Sequence, residues 1–138
     1  TYEALNYLIA KDYFAPAQQK ISIVLIAASI ILAALNTDKW YTVTTFAGLA
    51  VYVTMLEFVF QAKFLSRFYF AYVFVLIPFF IVNGILTGSF IEGEVVWYNN
   101  AENLGIRMGT IPVEDTFYGM LLLLMNVSLF EWLQQRKA

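Results

Sequence analysis

Long apolar segments separated by short polar ones make up most of this chain. Four of them approach or exceed the roughly 20 residues that an α-helix needs to cross a bilayer. They cover residues 21–36, 41–60, 67–87 and 111–133. A shorter helix-like run near the start, residues 2–9, precedes them. The pattern predicts an all-α integral membrane bundle of about four transmembrane helices, with an additional helix end at the N-terminus and a long loop before the last helix.

Composition narrows the class of protein further. The chain has 138 residues, of which 61% are hydrophobic and 13% charged, and its net charge is -2. No Lys/Arg stripe is present, so nucleic-acid binding is not expected. The chain contains no Cys and no His, which removes thiol chemistry and the commonest metal ligands. No Gly-x-Gly-x-x-Gly follows a strand pattern, so no flavin site is predicted. We therefore predict neither a metal nor a cofactor.

The first residues resemble the middle of a protein more than its start. Thr1 is followed by the helix-like run, without the basic segment and cleavage site of a signal peptide. We therefore expect the chain to be part of a longer protein.

Basic residues are distributed unequally between the two faces of the predicted bundle. Placing successive loops on alternate faces puts six of the eight on one side and Lys39 and Arg107 on the other. By the positive-inside rule the first face is cytoplasmic. The sequence thus predicts a multi-pass protein of the cell (inner) membrane with both ends of this chain in the cytoplasm.

The connection between the third and fourth spans, residues 88–110, is long for a helical bundle and rich in polar and aromatic residues. Long loops of this kind are usually functional or disordered. The aromatic residues Trp97 and Tyr98 make disorder of this loop less expected. Gly105 and Gly109 permit tight turns by which the chain returns to the membrane. A lid or re-entrant element is favoured over a plain connector.

Two adjacent acids, Glu114 and Asp115, fall on the first turn of the last predicted helix. Charge in or near the bilayer core is costly, so such acids indicate a functional site. Capping of the helix N-terminus is the alternative, as is a salt bridge from Arg107 that only fixes the loop. Burial and a neighbouring like charge favour a protonated acid, whereas the helix dipole favours a charged one. The pair can therefore split into a proton donor and a base.

Other polar residues in the predicted spans are weaker candidates for a functional site. Asp115 and Asn126 are nearly eclipsed on a helical wheel, and Asn83 lies at a depth comparable to the acid pair. Glu57, the other acid within a span, is explained by pairing with Lys63 or Arg67, or by a hydrogen bond to Gln61.

Several short motifs resemble those of the lycopene cyclase domain family. They are Asn83-Gly84-Ile85-Leu86-Thr87-Gly88, Trp97-Tyr98-Asn99-Asn100, Leu104-Gly105-Ile106-Arg107, Pro112-Val113-Glu114-Asp115 and Phe130-Glu131. The family comprises flavin-independent membrane cyclases built from two related domains on one or two chains. The chain resembles the second domain of a fused bacterial cyclase, although Asp115 stands where the family often has Glu.

The resemblance implies a domain organisation. Residues 1–14 would be the tail of a preceding domain's last helix, and residues 15–138 the cyclase-like domain, with 88–110 as the lid. Tyr2-Glu3 would then correspond to Phe130-Glu131. The homologous first domain, fused or separate, is the implied partner.

The resemblance also implies a reaction, the redox-neutral cyclisation of lycopene ψ end groups to β-ionone rings, towards γ-carotene and β-carotene. A carboxylic acid protonates C2, the C5=C6 bond attacks the C1 cation, and a base removes the C6 proton. Glu114 and Asp115 would share the acid and base roles. The remaining site residues implied or proposed for substrate orientation and binding are Asn83, Trp97, Asn99, Arg107, Phe117, Tyr118 and Asn126. This would make the chain half of a lycopene β-cyclase, an isomerase acting as an intramolecular lyase.

Two other functions remain open on the sequence. A small transporter subunit would need only short spans and an intramembrane acid such as Glu57. In a non-catalytic carotenoid-binding or assembly subunit, the acids would only cap and pair.

Overall fold

The computed structural model describes residues 2–137, and helices account for most of them. A short first helix is followed by four long ones. The helices are α1 (Tyr2–Leu8), α2 (Gln18–Leu35), α3 (Trp40–Thr54), α4 (Leu65–Leu86) and α5 (Val113–Lys137). A 3₁₀ turn, Ala15–Ala17, leads into α2, and a π-helical turn, Met55–Val59, extends α3.

Four helical segments are long and apolar enough to cross a membrane: Ala15–Leu35, Trp40–Val59, Leu65–Leu86 and Val113–Lys137. Their outward-facing side chains include exposed Val24, Ile31 and Ile77, as expected for surfaces that contact lipid tails. The predicted all-α membrane bundle is thereby confirmed, and the predicted spans overlap the observed helices with small shifts at their ends.

The centre of the bundle lies where α3, α4 and α5 meet. Leu49 and Val53 of α3, Leu65 of α4 and Leu124 of α5 are completely buried there. Close approach depends on small residues, because a Cβ on Gly119 of α5 would lie 3.1 Å from the Phe79 ring of α4. Helix α2 packs mainly against α3, and α1 packs against α4.

A short β-hairpin, with two strands of two residues each, precedes α5. The sequence pattern did not predict this hairpin. Strand β1 (Arg107–Met108) pairs antiparallel with β2 (Ile111–Pro112). Gly109 lies in the turn with φ +67°, the left-handed conformation that a tight hairpin of this kind requires at its first position. The last helix therefore begins at Val113, and Pro112 belongs to a strand instead of starting the transmembrane helix.

The loop between α4 and the hairpin is attached to the ends of the bundle helices. The Glu102 carbonyl accepts hydrogen bonds from the backbone N–H groups of Tyr41 and Thr42, at 3.0 and 3.4 Å. The Glu102 carboxylate accepts a third from the Trp40 N–H at 3.2 Å. These N–H groups at the start of α3 have no acceptor within the helix, so the loop residue caps α3. The loop thus lies against the end of the bundle where α3 and α5 begin, called here the acid end.

Candidate active site

The acid pair occupies the first turn of α5, at the acid end. The Glu114 side chain is completely buried and Asp115 is 6% exposed. Both carboxyl groups would carry unfavourable charge at such depth unless hydrogen bonds compensate for lost solvation. Their neighbours therefore decide what chemistry the pair can perform.

Only one of the two carboxyl oxygens of Glu114 accepts hydrogen bonds within residues 2–137. Its Oε1 accepts hydrogen bonds from the Thr42 hydroxyl at 2.7 Å and from the Leu104 backbone N–H at 2.6 Å. Its Oε2 is buried and has no hydrogen-bond partner within residues 2–137. One donor comes from α3 and the other from the loop, so Glu114 joins both to α5.

Asp115 has both oxygens occupied by phenols. The Tyr41 hydroxyl of α3 donates to Oδ1 and the Tyr98 hydroxyl of the loop donates to Oδ2, each at 2.5 Å. Asp115 is therefore joined to both α3 and the loop through phenol hydroxyls. Burial of Tyr98, and then its hydrogen bond to Asp115, raise the pKa of this phenol above its ordinary value. The phenol therefore keeps its proton and remains a donor.

Arg107 reaches the acids only indirectly. Its guanidinium donates to the Thr110 carbonyl and to the Asn100 side chain, each at 2.8 Å. The same guanidinium lies 5.9 Å from the centre of the Tyr98 ring, within the range of a cation–π contact. Arg107 thus supports Tyr98, and its hydrogen bonds within the described chain do not go to Glu114 or Asp115.

Aromatic rings surround the pair on the bundle side. The Tyr118 ring lies 6.0 Å from that of Tyr41, and the Phe117 ring lies 5.1 Å from that of Phe46. Tyr72 of α4 donates its hydroxyl to the carbonyl of Thr116, next to the pair. Such walls are apolar, yet their π faces attract positive charge.

The remaining predicted site residues fall into two groups. Trp97, Asn99 and Arg107 line a cavity of about 560 Å³, called here the loop cavity. Tyr98, which donates to Asp115, lines it as well. Asn83 and Asn126 do not join the acids by hydrogen bonds. Each donates its side-chain amide to its own helix, Asn83 to the Phe79 carbonyl and Asn126 to the Leu122 carbonyl.

The sequence reasoning missed Tyr41, Thr42 and Tyr98 as partners of the acids. Tyr41 lies at a helix start, a position that also fits the aromatic belt at a membrane interface. Loop alternation, however, places the start of the second span and the acid pair at the same end of the bundle. That coincidence was the available signal, since hydroxyl groups at the depth of two acids are natural hydrogen-bond donors to them.

Glu57 is held by partners other than the predicted ones. Its Oε2 accepts hydrogen bonds from Gln18 at 3.1 Å and from the Ser22 hydroxyl at 2.8 Å. The expected pairing with Lys63, Arg67 or Gln61 was therefore wrong, because helix α2 packs close enough to supply both donors. Ser22 in turn hydrogen-bonds with the Tyr69 hydroxyl of α4 at 2.8 Å.

No group of three or more His, Cys, Asp or Glu side chains within residues 2–137 is arranged to hold a metal ion. Carboxyl groups, phenols and hydroxyls are what the acid end offers for chemistry. The arrangement is suited to moving a proton in an apolar pocket.

Comparison with known proteins places the chain in a family. The lycopene cyclase family model matches residues 38–133, which include α3, α4, the loop, the hairpin and most of α5. The chain belongs to the lycopene cyclase family. Comparisons with curated proteins and with solved structures gave no match.

Proposed function

We propose that this chain catalyses the acid-catalysed, redox-neutral cyclisation of lycopene ψ end groups to β-ionone rings. The observation that carries the proposal is the asymmetry of the acid pair. Glu114 is fully buried with Oε2 free of hydrogen bonds, whereas the adjacent Asp115 accepts two phenolic hydrogen bonds. Family membership supports carotenoid cyclisation in general, and the geometry supports this specific division of roles.

Glu114 is the proton donor in this mechanism. Its side chain has no exposure, and one of its two oxygens has no hydrogen-bond partner within residues 2–137. Both donors converge on Oε1, which leaves Oε2 to carry the proton. Transfer of that proton to C2 of the terminal double bond leaves a cation at C1 and the conjugate base at Glu114.

Asp115 is the base. Attack of the C5=C6 bond on C1 closes the six-membered ring and moves the positive charge to C5. Removal of the C6 proton by Asp115 forms the C5=C6 double bond of the β-ring. One proton is added and one removed, so the reaction needs no oxidant or reductant. The two phenols fix the orientation of Asp115 by donating to both of its oxygens.

Aromatic rings at the acid end stabilise the cation between these two steps. Tyr41, Phe117 and Tyr118 present π systems to the cation. The Tyr41 hydroxyl is engaged by its hydrogen bond to Asp115. The buried location excludes water, which would otherwise capture the C1 cation as an alcohol.

The loop acts as a lid in this proposal. Tyr98 supplies one of the two hydrogen bonds to Asp115, and the Leu104 N–H supplies one of the two to Glu114. Movement of the loop would therefore expose the two acids to the ψ end group of lycopene. Return of the loop would restore its hydrogen bonds to Glu114 and Asp115. Arg107 positions Tyr98, and Trp97 and Asn99 line the entrance through the loop cavity.

The chain acts with a homologous first domain, fused or separate, and residues 1–14 belong to the end of that domain. Two contacts support this organisation. The Tyr2 hydroxyl donates to Glu131 at 2.6 Å, and the Gln134 amide donates to Glu3 at 3.3 Å. The two similar segments thus meet side by side. The bundle lies in the inner membrane with this chain's ends in the cytoplasm, in agreement with its charge distribution.

Product analysis in heavy water tests the reaction. The chain, expressed with its first domain in lycopene-accumulating cells, should convert red lycopene into yellow-orange cyclic carotenoids of unchanged mass. When membranes from these cells, with unlabelled lycopene already present, are transferred to D₂O, each new ring should contain one deuterium at C2, because the acid exchanges its proton with solvent before transfer. Unchanged lycopene, with both halves folded in the membrane, would overturn the proposal, as would rings formed without deuterium. The number of deuterium atoms per product also distinguishes one ring from two.

A further inference from the structure

One face of α5 carries a regular row of exposed apolar side chains. Its members recur at alternating intervals of four and three residues and are each between 43 and 54% exposed. They are Tyr118, Leu122, Met125, Leu129 and Trp132, called here the α5 stripe. This spacing places them on one side of a helix, so they form a continuous surface along its length.

The α5 stripe begins at the acid end. Its first member, Tyr118, packs against Tyr41, whose hydroxyl donates to Asp115. From there the stripe follows the edge of α3. A Cβ on Gly48 of α3 would lie 3.1 Å from the Leu121 side chain. The missing side chain at Gly48 lets α3 and α5 approach each other closely beside the stripe.

The stripe ends in a cavity of about 730 Å³ between α5 and the end of α3, called here the seam cavity. Met125, Leu129 and Trp132 belong both to the stripe and to the cavity wall. The opposite wall includes Met55 and Phe60. Thioether and aromatic side chains give an adaptable apolar lining. Tyr52 and Ser128, whose hydroxyls hydrogen-bond at 2.5 Å, also line the cavity. The lining includes the charged residues Lys63 and Glu131 as well.

The distance between the acids and the seam cavity suits a long, stiff molecule. At 1.5 Å per residue, Leu129 lies about 22 Å beyond Glu114 along the helix axis, and Trp132 about 27 Å. This is close to the roughly 30 Å thickness of the hydrocarbon core of a bilayer. A conjugated C40 polyene is a rod on this scale, so once one end group reaches the acids, the other end must lie far along the same line.

We propose that the α5 stripe and the seam cavity bind the distal half of the linear polyene, with the cavity receiving the second end group. This inference rests on the proposed function. A lipid acyl chain or a partner helix would also contact apolar residues at this spacing. A polyene rod is favoured because the stripe runs from beside the proton-transfer site at one end to a cavity at the other, whose wall on the stripe is apolar.

Single cysteines test the binding directly, because the chain has no Cys of its own. Leu122→Cys and Leu129→Cys place a thiol on the stripe. Leu123→Cys and Phe130→Cys are matched controls, since both native side chains are apolar and exposed but lie on another side of α5. Labelling by a membrane-permeant maleimide is followed in proteoliposomes that contain the chain together with its first domain, with and without lycopene.

Lycopene at about ten times its Kd should slow labelling of both stripe cysteines about tenfold and leave both controls unchanged. A chain-shortened linear polyene with the same end group should protect Leu122→Cys but not Leu129→Cys. Equal protection at all four positions, or none, would overturn the inference. Stripe cysteines that resist labelling before lycopene is added, while the controls react, would also overturn it, because another helix would then cover the stripe.

Filling the seam cavity supplies an independent readout. Ser128→Trp should lower turnover of the C40 polyene with little effect on the chain-shortened one, and a parallel loss on both would contradict the inference. Glu114→Gln separates this inference from the proposed function. If this variant loses cyclisation but its stripe cysteines remain protected by lycopene, both the proposed function and the distal site are supported. Unchanged cyclisation in the variant overturns only the proposed function. Stripe cysteines that lycopene does not protect, although the unmodified chain cyclises it normally, overturn only the distal site.

Discussion

Two hydrogen-bonded clusters, one around Glu57 and one around Glu114 and Asp115, lie at opposite ends of α3 and its π-helical extension. They differ in how completely their acids are buried. Glu57 is half-buried, and its hydrogen bonds to Gln18 and Ser22 link the π-helical turn to α2. Glu114 is fully buried, has a second acid as its neighbour, and retains an unpartnered oxygen. The same side chain thus joins helices at one end and is suited to proton transfer at the other. Burial and hydrogen-bond partners, not the presence of an acid in a span, separate the two roles.

The largest expected difference between the clusters is in catalysis. Glu114→Gln should reduce cyclisation by about 10²–10⁴-fold, because an amide has no acidic proton to transfer. Product formation from lycopene, measured chromatographically in membranes containing the complete enzyme, checks this. Glu57→Gln is the matched control and should retain activity close to that of the unmodified chain. The opposite result, with only the Glu57 variant inactive, would favour a role for the π-helical cluster in proton transport.

The phenols that hold Asp115 should have the next largest effect. Tyr98→Phe removes one hydrogen bond to a charged group, worth about 1.5–3 kcal/mol, so cyclisation should slow by roughly 10–100-fold. Initial rates with lycopene measure the loss. Tyr13→Phe alters a tyrosine that is 55% exposed and should have little effect. Equal rates for Tyr98→Phe and the unmodified chain would contradict the role of the lid in completing the base.

The Glu57 cluster should matter more for stability than for catalysis. Glu57→Leu removes the side-chain oxygen that accepts from the Gln18 amide nitrogen and the Ser22 hydroxyl, which keep only the Ala62 carbonyl and the Tyr69 hydroxyl as partners within residues 2–137. The cost should be about 0.5–1.5 kcal/mol for each hydrogen bond lost. Thermal unfolding in detergent should show a lower midpoint. Glu57→Gln retains an acceptor oxygen and should lose less. A Leu variant as stable as the Gln variant would show that these hydrogen bonds contribute little to the bundle.

The smallest effect concerns alkaline pH. Burial raises the pKa of Tyr98 in the folded chain, whereas the unfolded chain releases this proton near pH 10. Above about pH 10 the unfolded state therefore binds fewer protons than the folded state, and the stability should fall as pH rises. Tyr98→Phe should make this decline less steep. An unchanged slope of unfolding midpoint against pH would argue that the phenol is not buried against Asp115.

The spans could be predicted from the sequence because membrane insertion depends on a local property. About 20 consecutive apolar residues are required, whatever packs around them. The start of α5 was placed less well. Residues 107–112 form a hairpin whose pairing depends on Gly109 and on its neighbours across the turn, and two short strands leave almost no trace in an apolar pattern.

The acid pair itself was evident from the sequence, but its partners were not. Tyr41 and Thr42 lie 74 and 72 positions from the acids they contact. Glu57 also shows that hydrogen-bond partners distant in the sequence are not predicted from local spacing. Its expected partners were near in the sequence, whereas Gln18 is 39 positions away. Local spacing identifies neighbours on one helix and has no information on which helices pack together.

Asp115 and Asn126 show most clearly what each level determines. The sequence alone determined that both lie on nearly the same side of one helix, because the α-helical repeat is fixed by backbone geometry. Only the tertiary structure decided that Asp115 is buried by Tyr41 and Tyr98 while Asn126 is exposed. The loop and the start of α3 cover only the first turn of α5. Burial is a property of what packs against a residue, and it is burial that makes an acid in this bundle a candidate for catalysis.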